Sequence, residues 1–383
     1  MTTHPNQASA LEIAKRIQAE VLEPMKQAFV GKDEIIDLLG LCLVGGENLF
    51  LLGPPGTAKT ALVHELAARL AGRTFDYLLT RFTEPNELFG PFDLRKLREG
   101  ELVTNTEGML PEASLVFLDE LLNANSAILN SLLLALNERL FRRGKESRRL
   151  KALMFVGASN RLPEDDALKA LFDRFLLRAH SDNVATEQLP AVLAAGWKLQ
   201  RSDVPRESTL RFEDVEALQQ LLPMVELAAL RESYPDLVHR IRHAGVTISD
   251  RRAVKLQRLI AASALLCGRM AARISDLWIM RYIWDTEDQR EVLQSLVSAA
   301  LAREETGKED HPRAKANEEA DPEALARDLD ALAAKLPQAD EAEKAYLRDR
   351  LAILDSRGQW VPDQEKRAFL AQRAAEVWKH FGR

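Results

Sequence analysis

A short loop between an apolar segment and a helical pattern constrains this chain more than any other feature. The loop consists of Gly53, Pro54, Pro55, Gly56, Thr57, Ala58, Lys59 and Thr60. It follows the apolar residues 49–52, and beyond it apolar residues recur at helical spacing through Leu70. A strand, a glycine-containing loop and Lys-Thr at a helix start together predict a phosphate-binding loop.

The loop predicts a specific division of labour around a bound nucleotide. Backbone N–H groups at a helix N-terminus favour phosphate because the helix dipole adds positive potential there. We expect Lys59 to reach the β- and γ-phosphates and the Thr60 hydroxyl to bind Mg²⁺. Ala58 stands where such loops usually have a second glycine, and a Cβ is costly there if φ is positive. The alternative is a Gly-Pro turn before an ordinary core helix.

Two further apolar segments end in polar residues. Residues 114–118 precede Asp119 and Glu120, and residues 150–158 precede Ser159 and Asn160. All-apolar strands are typical of a parallel sheet covered on both faces, and such sheets bind ligands at the carboxyl ends of their strands. We expect Asp119 to hold the magnesium ion, Glu120 to polarise the attacking water and Asn160 to position it. The alternatives are an N-cap acid pair and a turn asparagine.

Composition sets limits on the class of protein. The chain has 383 residues, 46% hydrophobic and 29% charged, which is typical of a folded chain of two or three domains. No apolar run approaches the ~20 residues of a membrane helix, and the first ten residues lack a signal-peptide core. Cys42 and Cys267 lie in apolar segments and fit reduced thiols in a cytoplasmic protein. The net charge of −6 makes duplex nucleic acid an unexpected partner.

The order of patterns along the chain predicts three regions. Residues 1–200 alternate strands with helices, which predicts an α/β core with a doubly wound parallel sheet and helices on both faces. Within it, residues 92–94 and 101–103 are predicted to pair as a small hairpin. Residues 201–303 carry helical patterns only and predict an all-α lid. Residues 304–383 predict a charged linker, from 304 to 321, and a C-terminal helical appendage.

With these motifs in order, the chain resembles an AAA+ ATPase, and in particular the MoxR family, with the RavA-type branch the nearest match. The resemblance spans roughly residues 29–284. It is carried by Thr80-Arg81-Phe82, Glu87-Leu88-Phe89-Gly90-Pro91, Gly108-Met109-Leu110-Pro111-Glu112-Ala113, Phe117-Leu118-Asp119-Glu120, Asn137-Glu138-Arg139 and Ala158-Ser159-Asn160. The MoxR family and the related MCM helicases tolerate alanine at the position of Ala58.

The resemblance implies roles for four more residues. Arg174 corresponds to the arginine finger, which contacts the γ-phosphate bound by a neighbouring subunit; the alternative is a local salt bridge with Asp173 or Glu164. Arg251, in preference to Arg252, corresponds to the sensor-2 arginine, although Asp250 stands where that motif usually has proline. Val30 and Gly31 match the connector that lines the adenine pocket.

The resemblance also implies elements that face a central channel. Residues 87–110 resemble the helix-2 insert, and residues 140–150 resemble the hairpin that precedes the asparagine strand. That hairpin contains Arg142, Arg143, Lys145, Arg148 and Arg149. A solvated basic hairpin on an acidic protein is an equally weighted alternative.

Two features depart from the family pattern, and a third gives only weak support for a metal site. RavA-type proteins usually carry a partner-binding β-rich insertion, and no strand-rich module is predicted here. Residues 121–125 lack an arginine that many MoxR relatives have. His239 and His243 have the i, i+4 spacing of metal ligands, but a solvated helix face is the favoured interpretation because the sequence offers no third ligand nearby.

The sequence thus predicts a cytoplasmic, Mg²⁺-dependent ATPase that hydrolyses ATP at the subunit interfaces of a homo-oligomeric ring, a hexamer. The resemblance implies chaperone-like remodelling of a protein client, with a von Willebrand factor A domain protein as partner. One alternative is a nucleic-acid motor of the MCM or McrB kind, favoured by the basic hairpin. Another is a nucleotide-gated scaffold with little turnover. The choice between ATP and GTP stays open.

Overall fold

The computed structural model describes residues 7–184, 186–201, 210–302, 307, 309–315, parts of 325–358, and 364–381. The chain divides into two compact units, Met1–His311 and Pro312–Arg383. No helix in the described part is long and apolar enough to cross a membrane.

The larger unit is built on a five-stranded parallel sheet, in the order β2-β3-β6-β1-β7, accompanied by a separate two-stranded antiparallel hairpin, β4-β5. The strands are β1 (Leu49–Leu52), β2 (Thr74–Leu78), β3 (Leu115–Asp119), β4 (Leu140–Arg143), β5 (Glu146–Arg149), β6 (Met154–Ser159) and β7 (Leu177–His180). The parallel α/β core followed by a helical lid confirms the predicted fold class.

Helices precede, cover and follow the sheet. Those before β1 are α1 (Gln7–Arg16), a π-helical turn (Ile17–Leu22), α2 (Glu23–Ala28) and α3 (Asp33–Gly45). Those among and after the strands are α4 (Lys59–Ala68), α5 (Pro85–Phe89), α6 (Leu94–Arg98), α7 (Ser126–Glu138), α8 (Asp166–Phe172) and α9 (Leu189–Arg201). The lid comprises α10 (Phe212–Leu221), α11 (Ser233–His243), α12 (Asp250–Leu266), a 3₁₀ segment (Ile274–Tyr282) and α13 (Asp288–Leu301).

The apolar character of the central strands explains their positions. Every residue of β1 and β6 is buried, as is every residue of β3 except its final Asp119. Strands of this kind need cover on both faces, which helices on either side of a parallel sheet provide. The edge strand β2 instead alternates, and its last residue Leu78 is 59% exposed.

The predicted hairpin at residues 92–103 forms only in part. Asp93 accepts hydrogen bonds from the backbone N–H groups of Arg95 and Lys96 and so caps the short helix α6. The strand pairing is reduced to a single antiparallel bridge between Phe92 and Thr104. The capping aspartate and the good helix formers that follow it stabilise a helical turn where the second half of a strand was predicted.

The lid packs along α3, at the end that leads into β1. Gly45 lies so close to α12 that a Cβ there would come within 2.6 Å of Leu259, so the helices meet at this glycine. Arg258 donates to the Gly45 carbonyl (Nε to O, 3.2 Å), and Lys255 pairs with Glu47 (Nζ to Oε2, 3.1 Å). The lid is therefore attached at the edge of the sheet where the strands begin.

The predicted charged linker is partly described. Arg269 donates to the Glu309 carbonyl (3.2 Å), and the buried His311 stacks on Trp278 with ring centroids 4.4 Å apart. These contacts anchor residues 309–311 to the lid, whereas residues 303–306, 308 and 316–324 lie outside the described residues.

The smaller unit has its own core. Its helices include α14 (Pro312–Lys315) and α15 (Gln364–Trp378). Leu325, Leu329, Leu332 and Leu336, which have helical spacing, are buried with Leu351, Leu370 and Val377 in one cluster.

Candidate nucleotide site

The phosphate-binding loop connects β1 to α4 as predicted. The backbone N–H of Gly53 donates to the Ser159 carbonyl at 3.0 Å, so the loop starts in register with the neighbouring strand β6. Ala58 takes the left-handed conformation, with φ 65° and ψ 17°, and α4 begins at the next residue. The loop therefore has the conformation that usually selects glycine at this position, and Ala58 bears the strain of its Cβ.

Lys59 lies at the centre of the site. Its Nζ donates to the carbonyls of Gly53 (2.8 Å) and Pro54 (2.9 Å), and the residue is buried. Burial lowers the pKa of its ammonium group, while the charges of Asp119 and Glu120 act to raise that pKa. The two carboxylates therefore lie close enough to Lys59 to act on it.

The acidic pair follows β3 directly. The backbone N–H of Glu120 donates to Asp119 Oδ1 at 2.9 Å. Glu120 itself is left-handed, with φ 49° and ψ 41°, and both side chains are half-buried. A non-glycine residue in this region costs about 1–3 kcal/mol, and such strain concentrates at functional sites.

The sheet brings the predicted polar tips to one edge. Leu52 of β1 pairs with Ser159 of β6, and Leu118 of β3 pairs with Gly157. Asn160 follows β6 and is exposed. The register therefore places Lys59, Asp119, Glu120 and Asn160 at the carboxyl edge of three adjacent strands.

The donors at this edge suit magnesium. Thr60 supplies a hydroxyl and Asp119 a carboxylate, and Mg²⁺ is typically held by one or two such oxygens together with water and substrate phosphates. Among the described residues no group of three or more His, Cys, Asp or Glu side chains could hold a metal alone. Such a site needs the nucleotide to complete it.

The connector before α3 borders the same site. Gly31 has φ 72°, and a Cβ there would lie 2.8 Å from Val184 Cγ1 and 2.9 Å from Gln188 Oε1. Val30 is half-buried. The chain after β7 therefore packs tightly against the connector, and this contact lies beside the phosphate loop.

Sequence reasoning missed two side chains that hold the chain after β7 against the connector and the phosphate loop. Lys32 donates from Nζ to the Asp182 carbonyl, and burial together with the charge of Lys59 lowers its pKa. Ser181, fully buried, donates from Oγ to the Thr57 carbonyl at 3.1 Å. Lys32 adjoins the predicted Val30-Gly31 connector, but a lone lysine or serine outside a motif carries no signal of a distant backbone partner.

Arg174 lies at the opposite edge of the sheet, just before β7 begins. Its Nη1 pairs with Asp173 Oδ2 at 2.9 Å, and its side chain is 24% exposed. The local salt bridge weighed against the arginine-finger role is thus formed within the chain. The Arg174 carbonyl accepts a hydrogen bond from Asn48 (2.9 Å), which ties this segment to the start of β1.

Arg251 also lies at the amino edge of the sheet. It is exposed and its Nη2 donates to Asn137 Oδ1 (3.2 Å), at the end of α7. Arg252 is only 4% exposed and points into the protein. Because α12 packs at the edge where strands begin, Arg251 does not meet the phosphate loop of its own chain.

The basic hairpin is less free than its sequence suggests. Arg143 donates to the Gly90 carbonyl (2.8 Å) and lies over the Phe92 ring (3.7 Å), while Arg148 pairs with Glu146 (2.7 Å). Arg142, Lys145 and Arg149 remain exposed. His239 and His243 are exposed on α11, and no metal-binding group forms there among the described residues.

Comparison with known proteins agrees with this geometry. The sheet, loop and acidic pair define a P-loop ATPase core, and a model of the AAA lid domain matches residues 226–297. A model of the MoxR domain in the MoxR-vWA-beta-propeller ternary systems matches residues 15–220. The chain belongs to the MoxR family of AAA+ ATPases.

Individual relatives support the assignment. Two uncharacterized proteins of Methanocaldococcus jannaschii are 32% identical over 289 residues (75% of this chain, 74% of the relative) and 33% identical over 273 residues (70% and 72%). A structural protein of Acidianus two-tailed virus is 30% identical over 184 residues, 45% of this chain and 30% of that protein. A crystal structure from Cytophaga hutchinsonii, described provisionally as an ATPase, has a TM-score of 0.62 at 18% identity, covering 79% of this chain and 98% of that one, and supports the fold alone.

Proposed function

We propose that this protein hydrolyses ATP to ADP and phosphate at the interfaces between subunits of a ring. One observation carries the proposal: the residues that would bind and cleave the nucleotide lie at one edge of the sheet, while two candidate γ-phosphate ligands lie at the other. Lys59, Asp119 and Glu120 form the first set. Arg174 and Arg251 form the second.

Each side chain has a task within this scheme. The loop amides and Lys59 bind the phosphates, and Val30 and Gly31 border the base. Thr60 and Asp119 would hold Mg²⁺, which neutralises charge that develops on the phosphates. Glu120 takes a proton from the attacking water and Asn160 orients that water.

The two arginines account for the ring. An arginine at the amino edge of one subunit reaches the nucleotide of the next when subunits pack head to tail, and repeated head-to-tail contacts close into a ring. Such an arginine contributes about 10³–10⁵ in rate in related phosphoryl-transfer systems. The family resemblance implies that the ring has six subunits.

Partners follow from the family. The matching domain is described in systems with von Willebrand factor A and β-propeller proteins, so we propose a partner of the former kind. Hydrolysis at an interface would shift one subunit against the next and so drive the hairpin β4-β5 and the segment 87–110 against a protein client in the channel. We place this chaperone-like activity in the cytoplasm and retain the RavA-type branch as the nearest comparison.

A nucleic-acid motor is the second candidate, favoured by the exposed Arg142, Lys145 and Arg149 on the hairpin. Salt-dependent DNA binding that disappears when all three become alanine would support it. The net charge of −6 opposes it.

Steady-state hydrolysis tests the proposal. We expect Mg²⁺-dependent turnover by the wild type, no nucleotide binding by Lys59→Ala, and retained binding with about 10²–10⁴-fold slower turnover for Glu120→Gln. Asp236→Asn, on the exposed face of α11, is the matched control and should hydrolyse ATP normally. Full activity of Glu120→Gln would refute the assigned chemistry; undetectable turnover by the wild type with retained binding would favour the scaffold alternative.

A further inference from the structure

Two buried arginines, one from the core and one from the lid, share a single carboxylate. Arg178 on β7 is fully buried and Arg252 on α12 is 4% exposed. Asp285 Oδ1 lies 2.9 Å from Arg178 Nη1 and 3.2 Å from Arg252 Nη1. The Ile283 carbonyl accepts hydrogen bonds from both guanidinium groups. Core and lid are therefore joined here by charge-assisted hydrogen bonds, the strong kind in proteins.

The core end of this cluster supports the segment that carries Arg174. The Arg178 guanidinium lies over the Phe172 ring at 4.2 Å, and its Nη2 donates to the Phe172 carbonyl at 3.3 Å. Phe172 is the last residue of α8, two positions before Arg174. Asp173, the ion-pair partner of Arg174, also acts on the charge of Arg178. The direction of Arg174 therefore depends on Arg178.

On the lid side of the cluster, Arg252 supports the turn that carries Arg251. Arg252 donates from Nη1 to the Thr247 carbonyl at 3.3 Å, and its backbone N–H donates to Ser249 Oγ at 3.1 Å. These bonds fix the first turn of α12. Arg251 is the neighbouring residue on that turn and projects outward to Asn137.

The cluster carries more positive than negative charge. Burial, and then repulsion by Arg252, lower the pKa of Arg178 to about 9, although Asp285 acts in the opposite direction. Within the described part of the chain neither Arg178 Nε nor Arg252 Nε has a hydrogen-bond partner. Without the Asp285 charge, two buried cations would face each other and core and lid would separate at this point.

We propose that Asp285 is a positioning residue that holds the Arg174 segment and the first turn of α12 as one body, so that both arginines engage the neighbour's nucleotide together. The inference rests on the proposed ring ATPase. Asp285 does not contact the nucleotide in this scheme. A change at Asp285 affects only what its subunit does for the neighbouring subunit.

The first variant is Asp285→Asn, which keeps the shape and removes the charge. We expect turnover to fall by about 10–100-fold, since displacement of a catalytic group by ~1 Å costs about that much. ATP binding, measured with a fluorescent ATP analogue, should be unchanged because Lys59 and its loop lie at the other edge. The matched control is Asp236→Asn, a carboxylate on α11 of the same lid, which should leave both turnover and ATP binding unchanged.

A second variant separates loss of position from loss of stability. Asp285→Asn combined with Arg252→Gln restores the net charge of the cluster but not the link between core and lid. We expect it to recover thermal stability relative to Asp285→Asn while turnover stays low. If turnover recovers together with stability, Asp285 is only structural and the proposal is wrong.

Mixed rings test the direction of the effect. Asp285→Asn subunits mixed with Lys59→Ala subunits should regain activity, as an Arg174→Ala and Lys59→Ala reference mixture should, because each supplies what the other lacks. If the reference regains activity and the Asp285→Asn mixture does not, or if Asp285→Asn alone is fully active, the coupling is refuted and the ring ATPase stands. If the reference mixture stays inactive, both proposals fall.

Discussion

At the scale of single residues, the site combines chemistry that sequence encodes with geometry that it does not. Lys59, Asp119 and Asn160 are predictable because each follows an apolar strand, and parallel strands end at a common edge. A positive φ at Ala58 could be suspected because alanine fills a usual glycine position, whereas the left-handed backbone at Glu120 has no signal in the sequence. The partners of Lys32 and Ser181 are carbonyl groups distant in sequence, which no local pattern specifies.

The strain at Ala58 leads to a stability prediction. Ala58→Gly removes a left-handed Cβ, worth about 1–2 kcal/mol, and loses about 0.4–1 kcal/mol through the freer unfolded chain. We therefore expect a net gain of about 0.5–1 kcal/mol and a higher Tm. Ala61→Gly, within α4 and exposed, is the matched control and should lower Tm. A lower Tm for Ala58→Gly would show that the loop conformation is not strained.

His180 leads to a prediction about pH. Burial lowers the pKa of its imidazole below 6.5, helped by Arg290 and opposed by Asp182 and Glu287. The unfolded chain therefore takes up a proton at a higher pH than the folded chain, so this residue costs stability as pH falls through 6.5 towards the folded pKa. His180→Gln should show a smaller loss of Tm between pH 7 and pH 5 than the wild type. The exposed His243→Gln should match the wild type; an unchanged slope for His180→Gln would contradict the assignment.

At the scale of elements, the strongly apolar strands could be located from sequence but their ends could not. The predicted strand at residues 150–158 begins only at Met154, and residues 94–98 within the predicted hairpin form the helix α6. In both cases hydrogen bonds to a capping side chain or to a neighbouring strand set the boundary. Helices of the lid were recognisable because their apolar spacing is long and regular.

Arg139 illustrates how an element end becomes a structural joint. It ends α7 in the left-handed conformation, lies over the Phe155 ring at 4.7 Å and donates from Nη2 to Asn48 Oδ1 at 2.8 Å. Burial lowers its pKa to about 10. The family motif Asn137-Glu138-Arg139 thus includes a residue that fixes α7 against the start of β1.

Replacing Arg139 should therefore destabilise the core. We expect Arg139→Ala to cost about 2–4 kcal/mol, because it removes the Nη2 hydrogen bonds to Asn48 Oδ1 and the Gly46 carbonyl together with the contact on the Phe155 ring. A decrease in Tm measured by calorimetry checks this, with the exposed Arg142→Ala on the hairpin as a control that should stay within about 0.5 kcal/mol of the wild type. Equal stability of the two variants would show that Arg139 does not hold α7 against the start of β1.

At the scale of the whole molecule, the candidate site residues lie at two opposite edges of the sheet. Sequence order alone could not show that Arg251 lies away from the phosphate loop of its own chain, since that depends on the lid packing against α3 at Gly45. The lid is also joined to β7, where Asp285 pairs with both Arg178 and Arg252. In the proposed ring, a lone subunit therefore presents half of a catalytic site at each edge.

The measurement that tests this most directly is steady-state ATP hydrolysis by Arg174→Ala, by Lys59→Ala and by their mixture over a range of ratios. Each variant alone should be inactive. The mixture should regain activity, with a maximum near equal amounts, because an intact Lys59 in one subunit meets an intact Arg174 in the next. Wild-type activity of Arg174→Ala alone, or a mixture that stays inactive at every ratio, would contradict the shared site.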